Sequence, residues 1–335
     1  MRPDHATDIF CSSVLVILFG QPLLAEDSAI RQASNASACR QSEIRFDITS
    51  LETVILRPET ILKDVDAFWR EDGAYKLMSV WHETNDQPRN VEDWTRRINT
   101  YAQVPVEERS SNPLLALGRE FKRGEAAFND KAIAHICSFL PAGIKPLETT
   151  VYFAAEQQTS GIAVRRNIVL NIRTQEALNM IVHEAYHVGF NSARGNPGPV
   201  DREVDPVGWI AIGLQNEGMA TYVAFRASDM FPAPGMEDYP LLVDPAARVR
   251  LCRRLNSLLA KAKSYSPDRL QSTAWRIGVL ERAYYIVGAF MAQTIDEKLG
   301  RQALVQTISE GPRAFIHKYN ALAPQDMKIV EPQSS

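Results

Sequence analysis

The sequence predicts an α+β fold, predominantly α-helical, with a small β-sheet set ahead of one central helix. Three observations lead there. From Phe46 onward most segments carry apolar residues at mixed i+3 and i+4 spacing, the period of a helix with one buried face. Only Thr149–Ala154, with the short pieces Ile162–Val164 and Ile168–Ile172, has the β-branched and aromatic content of strands. Directly behind them stands Ile-Val-His-Glu-Ala-Tyr-His-Val-Gly-Phe, Ile181 to Phe190, around which the chain is organised.

Residues 1–25 read as a secretory signal peptide. Cys11 to Leu24 is apolar over a suitable length, and Leu23-Leu-Ala25 ahead of Glu26-Asp27 is an acceptable cleavage site. The first residues are close to neutral, with Arg2 set against Asp4 and Asp8, so retention as an N-terminal anchor is the competing expectation. No stretch reaches the roughly 18 continuous apolar residues of a strong membrane span, and none is expected in the mature chain. Cleavage leaves Cys39, Cys137 and Cys252, an odd count that allows at most one disulfide; buried unpaired thiols are the default expectation.

Residues 26–145 form an N-terminal helical region. Its start, 27–45, is rich in Ser, Ala, Asn and Gln and is expected to be flexible. Helices are expected at Ser50–Leu56, Glu59–Arg70, Val91–Tyr101, Pro113–Arg123 and Lys131–Phe139, with Trp69, Trp81 and Trp94 in their core. Pro141-Ala-Gly-Ile-Lys-Pro146 breaks the pattern ahead of the strands. After them, Thr174 is a fair N-cap for the central helix, Glu176 sits near its positive end, and Gly189 with Gly195-Asn-Pro-Gly198 is expected to stop it.

Further helices are expected at Leu214–Val223, Pro245–Ala262, Gln302–Ser309 and Pro312–Tyr319, with one or two across Ser272–Leu299. The tail 324–335, rich in Pro, Gln and Ser, is expected to be frayed. With 335 residues, 45% hydrophobic and 23% charged, the chain has apolar material for one large core or two modest ones. A net charge of −3 lacks the basic footprint of nucleic-acid binding.

The chemistry sits in the central stretch. On a helix, His183 and His187 are one turn apart on one face, so both imidazoles can meet one metal ion while Glu184 stands beside them. Zinc takes imidazole nitrogen at roughly 2.0–2.1 Å, and a catalytic site adds a third protein ligand and leaves one position open. The carboxylate next to the first histidine can take a proton from water, which is general-base work. Glu217 follows His187 after 29 residues, on a second expected helix, and is the candidate third ligand. Its bland alternative is an exposed helix glutamate.

These residues resemble the gluzincin clan of zinc metallopeptidases, whose aminopeptidase branch carries His-Glu-x-x-His followed by Asn-Glu-Gly-x-Ala. His183-Glu-Ala-Tyr-His187 and Asn216-Glu-Gly-Met-Ala220 match. The resemblance implies Zn²⁺ held by His183, His187 and Glu217, with Glu184 as general base, in a zincin-like core over 146–323 whose edge strand holds an extended peptide substrate. A later Tyr-x-x-Gly of that branch is matched by Tyr285-Ile-Val-Gly288, which implies Tyr285 as donor to the oxyanion; Tyr284 is the alternative. The resemblance covers about residues 165 to 320.

The chain departs from that branch as well. The Gly-x-Met-Glu-Asn segment that anchors a substrate amine is missing, so aminopeptidase action is not implied. Ser160 to Arg166 stands roughly where it would be expected. The spacer before Glu217 is long, and Thr221 stands where some gluzincins place an aspartate behind a histidine ligand. The pattern is closer to uncharacterised bacterial families of zinc-dependent peptidases.

The leading expectation is thus a secreted or periplasmic zinc metallopeptidase acting on peptide or protein substrates. The alternatives are a catalytically silent metal-binding module and a helical envelope protein whose histidine pair is incidental; the last requires Glu217 to lie far from His183 and His187. His82, His135 and His317 are expected to be packing or surface residues.

Overall fold

The computed structural model describes residues 41–84, 89–155, 161–172, 176–195 and 204–331. The proposed signal peptide, Cys39, Thr174 and most of the loop before Asp205 lie outside these residues. The chain is α+β, and 70% of the described residues are helical.

The first element among the described residues is a strand that the sequence pattern does not announce, β1 (Glu43–Asp47). Ile44 and Phe46 point into the core between the exposed Glu43 and Arg45, an alternation too short to stand out beside a polar lead-in. Six helices follow: α1 (Thr49–Leu56), α2 (Pro58–Lys63), α3 (Val65–Glu71), α4 (Gly73–Thr84), α5 (Val91–Ala102) and the single turn α6 (Val106–Arg109). The expected helix Glu59–Arg70 is two, because Asp64 leaves helical geometry and its side chain caps Ala67 N–H. Helix α4, not expected, packs Tyr75 into an aromatic cluster with Phe68, Trp69 and Trp94. Trp81 is half-buried at the edge of this core.

Helix α7 (Pro113–Cys137) runs unbroken where two helices were expected. It covers the outer edge of β1. Asn129 accepts from the Ile44 amide and donates to the Ile44 carbonyl, and Glu125 accepts from the Phe46 amide, so the backbone groups that an edge strand leaves open are satisfied.

The remaining strands are β2 (Glu148–Ala154), β3 (Gly161–Val164) and β4 (Asn167–Asn171). The sheet order is β1-β2-β4-β3, with β1/β2 and β2/β4 parallel and β3/β4 antiparallel. With β1 covered by α7, β3 is the other edge strand, paired only with β4 among the described residues.

Helix α8 (Ala177–Ala193) carries the central motif against β3, β4, α7 and α9 (Pro206–Arg226). It is buried almost all round, as expected of a helix inside a core. Gly189 does not stop it: the helix continues to Ala193, and Gly189 gives room to Leu140, whose methyl group a Cβ there would strike. Glu176 does not cap the helix with its side chain, which instead accepts from the Gly235 amide.

The C-terminal half comprises α10 (Asp238–Val243), α11 (Pro245–Lys261), α12 (Pro267–Ala274), a π-helical turn (Trp275–Leu280), α13 (Ala283–Leu299), α14 (Arg301–Glu310) and α15 (Pro312–Asn320). The expectation of a frayed tail is corrected over residues 324–331, while 332–335 lie outside the described residues. Met327 and Ile329 are buried, and Asn320 both donates to the Ile329 carbonyl and accepts from its amide. Cys137 is disulfide-bonded, contrary to the default of unpaired thiols, while Cys252 is free and buried. Among the described residues no helix is long and apolar enough to cross a membrane.

Candidate metal centre

Helical spacing does locally what the sequence requires. His183 and His187 emerge one turn apart from α8, 9% and 6% exposed, and their Nε2 atoms face each other at 3.0 Å. Burial leaves few partners for these nitrogens beyond one another and whatever a second helix presents.

That second helix is α9. Gly218 on α9 meets Gly288 on α13, and a Cβ on either would run into the other's backbone. The crossing is closer than any side chain permits, and the residue before Gly218 is carried over α8. Glu217 Oε2 thereby stands 3.5 Å from His183 Nε2 and 3.4 Å from His187 Nε2. A tetrahedral zinc with bonds of about 2.0–2.1 Å holds its ligand atoms roughly 3.3 Å apart. The three separations of 3.0, 3.4 and 3.5 Å bracket that value. Two imidazole lone pairs and one carboxylate suit zinc in kind as well as in spacing. Among the described residues this is the one group of three such side chains whose donor atoms converge, all within 4.8 Å.

The electrostatics describe a site built for positive charge. Burial alone would lower the His187 pKa, yet the Glu217 carboxylate, Glu184 and Asn216 lift it above its ordinary value. Burial alone would raise Glu217, yet the two imidazoles hold it well below the usual carboxylate range.

Asn216 fixes the histidine tautomer. Its Oδ1 lies 3.0 Å from His187 Nδ1, and an amide oxygen can only accept, so Nδ1 carries the hydrogen and Nε2 presents its lone pair inward. The sequence holds a signal for this residue, since Asn216 opens the second motif, but gives no indication of which atom it meets. Thr221 does not share the role: it is buried and its hydroxyl has no hydrogen-bond partner among the described residues.

Glu184 is buried beside the histidines but is not one of the converging donors. Burial pushes its pKa up, against the pull of both imidazoles and of a hydrogen bond from the Ala163 amide on β3. Edge strand β3 therefore runs past the carboxylate.

Tyr285 lies at the same place from the other side. Its ring stacks on His183, with centroids 6.1 Å apart and planes at 18°. Tyr284 packs instead against Gly213 and Gly278. Arg282, which the sequence pattern does not single out, lays its guanidinium over the Tyr285 ring. His135 bonds the Val223 carbonyl and His317 lies near Glu331, so neither joins the cluster; His82 lies outside it too.

Residues 85–328 match a family model described as "Putative zinc dependent peptidase (DUF5700)". No curated protein and no solved structure matches the chain.

Proposed function

The chain belongs to the family described as "Putative zinc dependent peptidase", and on that premise we propose that it hydrolyses peptide bonds at a zinc ion held by His183, His187 and Glu217, in the manner of a gluzincin. The observation that carries this reading is the convergence of three donor atoms from two helices, 3.0 to 3.5 Å apart, around one point.

Bound there, zinc supplies Lewis acidity that polarises the scissile carbonyl and acidifies water. The protein does the rest. Glu184 takes the proton of the attacking water and delivers it to the leaving amine; its raised pKa suits a group that must both accept and give. Tyr285 donates its hydroxyl to the oxyanion as charge develops. Strand β3 aligns an extended substrate along its edge, as in strand addition. Asn216 keeps His187 in the tautomer that binds metal. The disulfide at Cys137 supports action in an oxidising compartment, in keeping with a signal peptide at residues 1–25.

The test compares wild type with Glu217→Ala and Glu184→Gln. Wild type purified without added metal is expected to hold near one zinc and to cleave members of a peptide library. Glu217→Ala is expected to lose the zinc, and Glu184→Gln to keep it while losing at least about 100-fold in turnover. Zinc-free wild type, or full activity in Glu184→Gln, refutes the proposal.

A further inference from the structure

The residue next to the site that no motif accounts for is Arg282. It sits just ahead of α13 with φ +67, one of two non-glycine residues with positive φ among the described residues. Such a conformation is disfavoured for side chains with a Cβ and persists where the surroundings hold it. The surroundings here are specific. Arg282 donates from Nε to Asp238 Oδ1 at 2.7 Å and from Nη2 to Asp238 Oδ2, a two-pronged pair, and Asp238 is itself 4% exposed. The guanidinium carbon then lies 3.4 Å from the centroid of the Tyr285 ring, the ring that stacks on His183.

We infer that Arg282 is a positioning residue: clamped by Asp238, it holds the Tyr285 ring flat so that the hydroxyl reaches the reacting carbonyl beside the metal ligands. Asp238, Arg282, Tyr285 and His183 form one continuous tier from α10 to α8. A role in binding a substrate anion fits less well, because the planar fork is already committed to Asp238. The same three-part arrangement occurs a second time at Asp296, Arg301 and Phe139, outside the group of converging donors and with no hydroxyl on its ring. It supplies a control for stability alone.

The inference rests on the reading of Tyr285 as oxyanion donor, and two measurements separate their failures. The first is kcat and KM on a cleaved peptide for wild type, Tyr285→Phe, Arg282→Ala, the double variant and Arg301→Ala, all zinc-loaded. Loss of an oxyanion donor costs about 100-fold or more in kcat, which is the expectation for Tyr285→Phe. Arg282→Ala is expected to lower kcat about tenfold with KM and zinc content unchanged, a tenfold factor being a partial loss of that donor. The double variant is expected to be no slower than Tyr285→Phe, because an arginine that acts through the tyrosine has nothing left to position. Arg301→Ala is expected to lower the melting temperature and leave kcat alone. Multiplicative losses in the double variant, or a raised KM at unchanged kcat in Arg282→Ala, overturn the inference.

The second measurement needs no turnover. The ring resonances of Tyr285, identified by their absence from Tyr285→Phe, are followed by NMR in the zinc-loaded protein. They are expected to shift in Arg282→Ala and in the milder Asp238→Asn, and to stay in place in Arg301→Ala. A ring that does not move overturns the positioning role even if wild type cleaves no peptide. Should Arg282→Ala fail to fold, Arg282→Lys, which can neither fork nor stack, takes its place in both measurements.

Discussion

Gly218 and Gly288 meet with no side chain between them: a Cβ built on Gly288 would stand 2.7 Å from Gly218 Cα and would also strike the Leu214 carbonyl. This contact joins two motifs that lie far apart in the sequence. Glu217 precedes one glycine and Tyr285 lies three residues before the other, so the crossing delivers a carboxylate to both histidines and a phenol ring to His183.

Gly218→Ala and Gly288→Ala are therefore expected to destabilise the protein by about 1–3 kcal/mol, the cost of overpacking where only backbone can yield. Gly124 offers the contrast, a helical glycine where an added Cβ would have nothing within 4 Å of it. Gly124→Ala is expected to be neutral or to stabilise by about 0.5–1 kcal/mol. Urea titrations of the three variants decide the point, and equal behaviour would show that the crossing is not the constraint.

Asn216→Ala removes the acceptor that keeps the His187 hydrogen on Nδ1. Zinc affinity, measured by competition with a chelator, is expected to fall roughly 10–100-fold. Asn216→Asp keeps an acceptor oxygen at that position and is expected to restore binding. An alanine variant with wild-type affinity would assign tautomer control elsewhere.

The cluster also sets a pH dependence. Glu217 is held below its ordinary 4.5, so its stabilising effect is present above that value and is lost as acid passes its depressed one. His187 is held above its ordinary 6.5, so its effect is complete below 6.5 and is lost as pH rises through the raised value. In chelator-treated protein both contributions are complete between pH 4.5 and 6.5, and the His187 contribution weakens toward alkaline pH. Zinc needs His187 without its proton, so the stabilisation it adds is expected to grow with pH over the same range. Urea midpoints from pH 5 to about 8, with zinc and with chelator, should diverge as pH rises. Parallel curves would contradict the assignment.

The C-terminal segment carries stability. Asn320→Ala leaves the buried amide and carbonyl of Ile329 without their partners, at an expected cost of about 1–3 kcal/mol. Removing everything after Ala323 also strips Met327 and Ile329 from the core and is expected to cost at least as much. A truncated chain with an unchanged denaturation midpoint would restore the view of the tail as frayed.

Helical periodicity and the spacing of His183 and His187 are legible because they are local: 3.6 residues per turn fixes which side chains share a face before any tertiary contact exists. The α+β class, the position of the sheet ahead of α8 and most helices follow from such short-range patterns. What the sequence could not supply depends on partners distant along the chain. Strand β1 exists because β2 pairs with it and α7 covers its edge. Gly189 reads as a helix stop yet serves the approach of Leu140, since a missing side chain permits both outcomes and packing selects one. The tail is ordered by Asn320 and Asn256, whose amides match backbone groups that no periodicity reveals. At the site, the histidine pair was written in one helix. The meeting of Glu217, Asn216 and Tyr285 with it depends on how closely two glycines let α9 and α13 cross, and the clamp of Arg282 by Asp238 on α10 packing beside α13.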